Sequence, residues 1–241
     1  MDYLLQAGLS GLDIAVLAVI VLLLPIEAEI SNRILKPRME RNEPGARLWW
    51  YAITFVELWV VTLAIVWIWL ARGRAWPSLG IGFEGSWGSW IAVGVAAAGT
   101  GLLVAQAWGL SRGREALDKA RAEMAAAGMD DLSIMPRTQQ EYRATQALSV
   151  TAGITEEVIY RGYLIWAFSL FVHPWIGAAL ALAVFVFMHR YQDAQGLIRV
   201  AIMGAILTLL FLVSGSLYPG ILLHVAVDLV SVGMVWRVRQ S

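Results

Sequence analysis

The chain has 241 residues, 59% of them hydrophobic and only 15% charged, with a formal net charge of zero. A soluble domain is usually about 45–50% apolar and about 25% charged, and here the apolar excess lies in long runs, which points to a bilayer. Zero net charge gives no reason to expect nucleic acid as a partner, and the absence of cysteine removes disulfides, thiol nucleophiles and thiolate zinc sites.

At roughly 20 apolar residues per span, this length accommodates about six to eight membrane helices and no separate soluble domain. Seven apolar segments follow one another, near 12–30, 48–70, 87–110, 145–171, 175–189, 197–213 and 220–236. None shows the alternating polarity of a β-barrel strand. The N-terminal Met1-Asp2-Tyr3 lacks the basic region of a cleaved signal, so the first segment is expected to be a retained helix. After the third segment, residues 113–129 place Ala and Leu at helical spacing among charges, closed by Gly128, and read as a cytoplasmic amphipathic helix. Trp49, Trp50, Trp87, Trp90 and Trp236 stand at segment ends, where interfacial anchors are expected.

The connections set an orientation. Arg33, Lys36, Arg38, Arg41 and Arg47 follow the first segment. Arg112, Arg114, Lys119, Arg121, Arg137 and Arg143 follow the third, Arg190 and Arg199 the fifth, and Arg237 and Arg239 the last. Only Arg72 and Arg74 fall in a loop of opposite parity, fifteen against two. The positive-inside bias predicts an outside N-terminus and a cytoplasmic C-terminus. The expected fold is therefore all-α, a polytopic membrane bundle of about seven helices around a polar intramembrane cavity.

The cavity is expected because ionisable groups at membrane depth cost about 2.5–3.5 kcal/mol each on insertion scales. In the fourth segment Glu157 and Arg161 are four residues apart, close enough to pair on a helix, while Glu156 points away without a local partner. The fifth segment ends in Phe185 to His189. The seventh carries His224 and Asp228 on one helical face. His173, beside Pro174, reads as a surface residue. Taken singly, a helical Glu/Arg pair is more often structural and a span-end histidine more often interfacial. Two carboxylates, an arginine, two histidines and a further carboxylate on three apolar helices are placed economically only if they converge. Asp13, Glu27, Glu29 and Glu57 in the first two segments read as span-end or helix-pairing groups.

In order, these segments contain EExxxR (Glu156 to Arg161), FxxxH (Phe185 to His189) and HxxxD (His224 to Asp228). The set resembles the CAAX-protease and bacteriocin-processing family of intramembrane proteases, which includes the prenyl-protein endoprotease of the eukaryotic endoplasmic reticulum. The match covers roughly residues 145–236. Tyr160 stands where that family often has Phe, and Asp228 where Asn is common; an ionised Asp cannot donate a hydrogen bond. The resemblance implies three divisions: N-terminal membrane helices with the amphipathic linker (1–144), a catalytic core (145–236) and a cytoplasmic tail (237–241).

It also implies hydrolysis of a peptide bond in a membrane-associated substrate: a prenylated peptide, a leader or a C-terminal anchor. Glu156 with His189 would activate water. His224, with Asp228 behind it, would support the oxyanion, and Glu157 and Arg161 would hold the electrostatics, with Phe185 and Tyr160 in support. A second version of the same resemblance places a divalent metal such as zinc among Glu156, His189 and His224; a site without any cofactor is the version favoured. The bacterial inner membrane is the expected location and lipid the expected surroundings. A transporter, or a non-catalytic bacteriocin-immunity or scaffold protein of the same fold, is the alternative from another class. Any catalytic arrangement must meet one demand. His189 and His224 lie toward opposite ends of simple antiparallel spans, so either the fifth helix runs past His189 or the seventh begins below the outer surface; the breaker-rich run 214–220 is expected to bend into the protein and line the cavity.

Overall fold

Ser10 opens the first helix, α1 (Gly11–Glu40), with a capping box: its Oγ accepts from the Asp13 amide at 3.2 Å while the Asp13 carboxylate takes the Ser10 amide at 2.7 Å. Pro25 lies inside α1, where it cannot donate and crowds the preceding turn; the helix widens into a π-helical turn at Val19–Leu23 just ahead of it. This computed structural model describes residues 8–109, 113–126 and 133–240. Among them the chain continues as α2 (Ala46–Ala71), a short 3₁₀ turn (Trp76–Leu79), α3 (Trp87–Gly109) and α4 (Arg114–Ala126). Next comes α5, which runs as α-helix over Gln139–Glu156, as π-helix over Glu157–Leu164 and as α-helix again over Ile165–Ser169. The chain ends with α6 (Pro174–Met188), α7 (Ala194–Ser214) and α8 (Tyr218–Gln240). All the regular structure of the described residues is helical.

The expected bundle of membrane helices is present, with one difference in its count. Five helices, α1, α2, α3, α7 and α8, are long and apolar enough to cross a bilayer. Helix α5 falls short because Glu141, Arg143, Glu156, Glu157 and Arg161 interrupt its apolar character. Helix α6 has 15 residues, so at 1.5 Å per residue it reaches roughly 22 Å, less than the ~30 Å hydrocarbon core. Leu22, Leu23, Val60, Leu63, Leu70 and Leu102 are exposed on the spanning helices, the outward apolar surface that lipid requires. Trp49, Trp87 and Trp90 are exposed near helix ends, as anchors should be. Trp50 and Trp236 instead pack within the protein, the first edge-on to Tyr191 and the second stacked on Tyr142 at 4.9 Å. The amphipathic helix forms as α4 and buries Ala120 against Val235 and Val238 of α8; Gly128 lies outside the described residues.

Helix α5 occupies the middle. Its Ile159, Tyr163 and Leu164 are wholly buried in one core with Ile65 and Trp69 of α2, Phe185 of α6 and Leu217. One end of the bundle is fastened by Asp13, whose carboxylate takes two hydrogen bonds from Arg74 at 2.7 and 2.8 Å. That guanidinium also stacks over Trp166 of α5 at 4.4 Å. The other end is fastened by the buried Arg47, which donates to Met39, Asn42 and Ser133 and lies 3.9 Å from Glu141 in the first turn of α5.

The breaker run 214–220 does turn into the protein. Ser214, Ser216 and Leu217 are buried, and the Leu217 amide donates to the Gly80 carbonyl at 2.9 Å. Irregular backbone is tolerated in a membrane protein where protein covers it and satisfies it. Helix α8 then descends against α5 at a distance that only glycine permits. A Cβ on Gly153 would meet Val225 Cγ2 at 2.4 Å and the Val225 backbone nitrogen at 2.8 Å.

Gly153→Ala should accordingly push α5 and α8 apart and destabilise the protein by roughly 1–3 kcal/mol, the usual cost of overpacking. The same change at Gly101 of α3, with nothing near its added methyl, should be neutral or slightly stabilising. Paired thermal-unfolding midpoints in one detergent check the contrast.

Candidate active site

The site is built outward from the point where α5 changes from α- to π-helix, a local widening that recurs at functional sites. Glu157, 1% exposed, accepts with one oxygen from two donors: Arg161 Nη1 at 2.8 Å and His224 Nδ1 at 2.9 Å. Arg161, equally buried, sends its other amino group to the Gly204 carbonyl of α7 at 3.1 Å and lays its guanidinium 4.4 Å over the Phe185 ring of α6. The pair expected from helical spacing thus forms and reaches further, tying α5 to α6, α7 and α8. Its second oxygen, Oε2, has no protein hydrogen-bond partner among the described residues and lies against Gly220. A Cβ there would come within 2.8 Å of it.

Hydrogen-bond partners set the state of each imidazole. A carbonyl oxygen can only accept, so His189 Nδ1, 2.8 Å from the Phe185 carbonyl, must carry a proton. In the neutral ring Nε2 is then the basic nitrogen. His224 Nδ1 donates to the Glu157 carboxylate, and its Nε2 faces Glu156 Oε2 and Asp228 Oδ2, each at 3.8 Å. The expectation that Asp228 stands behind His224 is therefore corrected in its geometry. Glu157 takes the rear nitrogen, while Asp228, one turn further along α8, lies with Glu156 at the front. Phe185 is the hub of the packing, against Tyr160 at 5.1 Å, His189 at 4.6 Å and His224 at 6.3 Å.

Glu156, His189, His224, Asp228, Tyr160 and Phe185 all line one cavity of about 610 Å³. Glu157 and Arg161 are not in its wall and act from behind. The histidines meet because α6 is short and stops at Met188, with His189 as its C-cap, instead of running past it. The inward run 214–220 brings the start of α8 to the same region. His173 is exposed at the start of α6, as expected of a surface residue.

Of the four acids singled out in the first two segments, Asp13 and Glu29 are paired, the latter with Arg33 at 2.7 Å. Glu27, held by the Ser31 hydroxyl, and Glu57, which interacts with Glu27, line the cavity, as does Glu29. Sequence reasoning did not place these three in its wall, nor Trp50, Tyr191 and Gln192. The signal for Tyr191 and Gln192 was their place directly after the motif histidine.

Two imidazoles and a carboxylate are a normal catalytic zinc donor set. Among the described residues, however, no three His, Asp or Glu side chains are gathered closely enough to hold a metal ion. The set Glu156, His189 and His224 does not fit one in this arrangement.

Residues 140–230 match the family model described as Rce1-like, type II CAAX prenyl endopeptidase Rce1-like. The resemblance read from the three motifs is borne out over that segment, which holds all of them, and the matched family is one of proteases. No curated protein and no solved structure matches the chain.

Removing Arg161 strands a buried carboxylate. Arg161→Met should therefore destabilise the fold by about 3–5 kcal/mol, as breaking a buried pair does. Arg33→Met, at the exposed Glu29 pair, should leave the unfolding midpoint nearly unchanged. Thermal unfolding of both variants side by side checks the difference.

Proposed function

We propose that this integral membrane protein is an endopeptidase that hydrolyses a peptide bond of a membrane-associated substrate inside the cavity between α5, α6 and α8. The observation that carries the proposal is the pairing of unlike imidazoles in one cavity wall: His189 with a basic Nε2, and His224 with a donor held in place by Glu157. A carboxylate, Glu156, lies beside them.

In this reading Glu156, assisted by His189 Nε2, removes a proton from water as its oxygen bonds to the scissile carbonyl carbon. The carbonyl electron pair moves to oxygen, and the protonated Nε2 of His224 donates to that oxyanion. The intermediate then collapses: the C–N bond breaks, and the proton held by Glu156 passes to the departing amine. General-base catalysis contributes about 10²–10⁴-fold and an oxyanion donor about 10²–10³-fold. Asp228, as a carboxylate, cannot donate; its part is to orient His224 from 3.8 Å away. Arg161 and Glu157 are positioning residues that fix the His224 ring, and Phe185 and Tyr160 pack around it. No step is routed through a metal.

The substrate class follows from the cavity's situation and from the name of the matched family: a prenylated peptide first, with leaders and C-terminal anchors as the remaining classes. Residues 145–236 would form the catalytic core, and 1–144 the membrane helices that complete the cavity wall through Glu27, Trp50 and Glu57. The location proposed is the bacterial inner membrane, N-terminus outside and C-terminus cytoplasmic. The absence of native cysteine makes that orientation directly testable. A single cysteine at the exposed Arg72 should react with an impermeant maleimide from outside whole cells, and one at Arg237 only after the membrane is opened.

Purified protein in liposomes should cleave a farnesylated peptide ending in a CAAX sequence. Glu156→Gln, His189→Ala and His224→Ala should each lower the rate by about 10²-fold or more. The wild-type rate should be unchanged by phenanthroline or EDTA. Solute flux into the liposomes that survives all three substitutions, with no cleavage of any membrane peptide, would overturn the peptidase reading in favour of transport.

A further inference from the structure

The proposed chemistry leaves the oxyanion with one identified donor, His224, yet the cavity wall contains a second candidate that no motif names. Tyr191 lies in the short connection between α6 and α7, two residues past His189. Its ring is 5.9 Å from the His189 ring and meets Trp50 of α2 edge-on at 5.8 Å. It lines the same cavity as Glu156, His189, His224 and Asp228. Its ring contact with the motif histidine sets it beside the reacting groups.

Its hydrogen bonding is incomplete in an informative way. The oxygen accepts from Gln192 Nε2 at 3.5 Å, the outer limit of such a bond. Among the described residues, no protein acceptor takes the phenolic proton in return. A phenol is a donor as well as an acceptor, so its O–H is left for whatever occupies the cavity. The connection that carries it is fixed at both ends. The Gln192 amide donates to the His189 carbonyl at 3.0 Å, and the Asp193 side chain caps α7 through the Gly196 amide at 2.7 Å. A donor held this way needs no reorganisation when charge develops, which is the condition for effective oxyanion stabilisation.

We propose that the Tyr191 hydroxyl donates a hydrogen bond to the oxyanion formed on the scissile carbonyl, in addition to the donor supplied by His224. The assignment rests on the peptidase reading above. It makes Tyr191 a neutral donor that complements a charged one, in a site where Asp228, as a carboxylate, has no proton to give. Trp50 and the His189 ring hold the phenol by contact with its faces and edge, so removing the oxygen alone leaves that packing intact.

Tyr191→Phe tests this in the liposome assay with the farnesylated peptide. The expected result is a fall in kcat of about 10²-fold, the usual effect of losing one oxyanion donor, with KM and the unfolding midpoint unchanged. Binding of a phosphonamidate peptide, which mimics the tetrahedral intermediate, should weaken by the same factor. Should the Phe variant not fold, difluorotyrosine at position 191 keeps the shape and alters only the acidity of the phenol. It should displace the alkaline limb of the kcat profile to lower pH. Full activity of Tyr191→Phe while Glu156→Gln is inactive would overturn this assignment and leave the peptidase reading standing. A raised KM at unchanged kcat would overturn it too, placing Tyr191 in ground-state substrate binding. A wild-type protein that cleaves no membrane peptide would overturn both.

Discussion

Arg161, Glu157 and His224 form one buried chain of charge-assisted hydrogen bonds, and the arrangement of the catalytic half depends on it. Each member is nearly inaccessible, so none can exchange its partner for water. Breaking any link would strand a charge in a low-dielectric interior, a far larger loss than an exposed ion pair represents. Arg161 reaches α7 through Gly204 and α6 through the face of Phe185, and Glu157 reaches α8 through His224. One arginine and one glutamate on adjacent turns of α5 therefore set the positions of three other helices.

The same chain separates structural from chemical duties between adjacent carboxylates. Glu157 is committed to Arg161 and His224 and lies behind the cavity; Glu156, its neighbour in sequence, looks into it. The roughly 100° between successive helical residues makes this division possible. The close approach of α5 and α8, which Gly153 and Gly220 allow, brings His224 within reach of both. Substituting either glycine would insert a methyl group between the backbone of one helix and the groups it positions.

Much of the candidate site was legible from ionisable residues in apolar surroundings. Glu157 and Arg161 could be paired by spacing alone, because four residues along a helix bring side chains together whatever the helix packs against. The cavity itself could be anticipated because Glu156, His189 and His224 would otherwise face lipid. Glu27 and Glu57 pair between α1 and α2 as a helix-pairing reading allows, but their place in the cavity wall was not legible, because a carboxylate that meets a neighbouring helix leaves the same pattern whether or not a cavity lies beside it. Trp50 and Trp236 were misjudged for a similar reason: a tryptophan near a helix end suits an interface and an aromatic stack equally well. Asp228 shares a helical face with His224, but which nitrogen of the ring it meets depends on a rotation that only the packing of α8 on α5 determines.

By itself the sequence determined the helical class, the membrane setting, the pairing within α5, the inward turn of run 214–220 and the three family motifs between Glu156 and Asp228. These follow from local periodicity, from transfer energetics and from residues close together in the chain. Tertiary structure alone decided that Glu157 takes the rear nitrogen of His224 and that Glu27, Glu29 and Glu57 share the cavity with the motif residues. It alone placed Tyr191 beside the reacting groups. Each of these depends on contacts between residues distant along the chain, where helix–helix distance and ring orientation are fixed by packing and leave no periodic trace in the sequence.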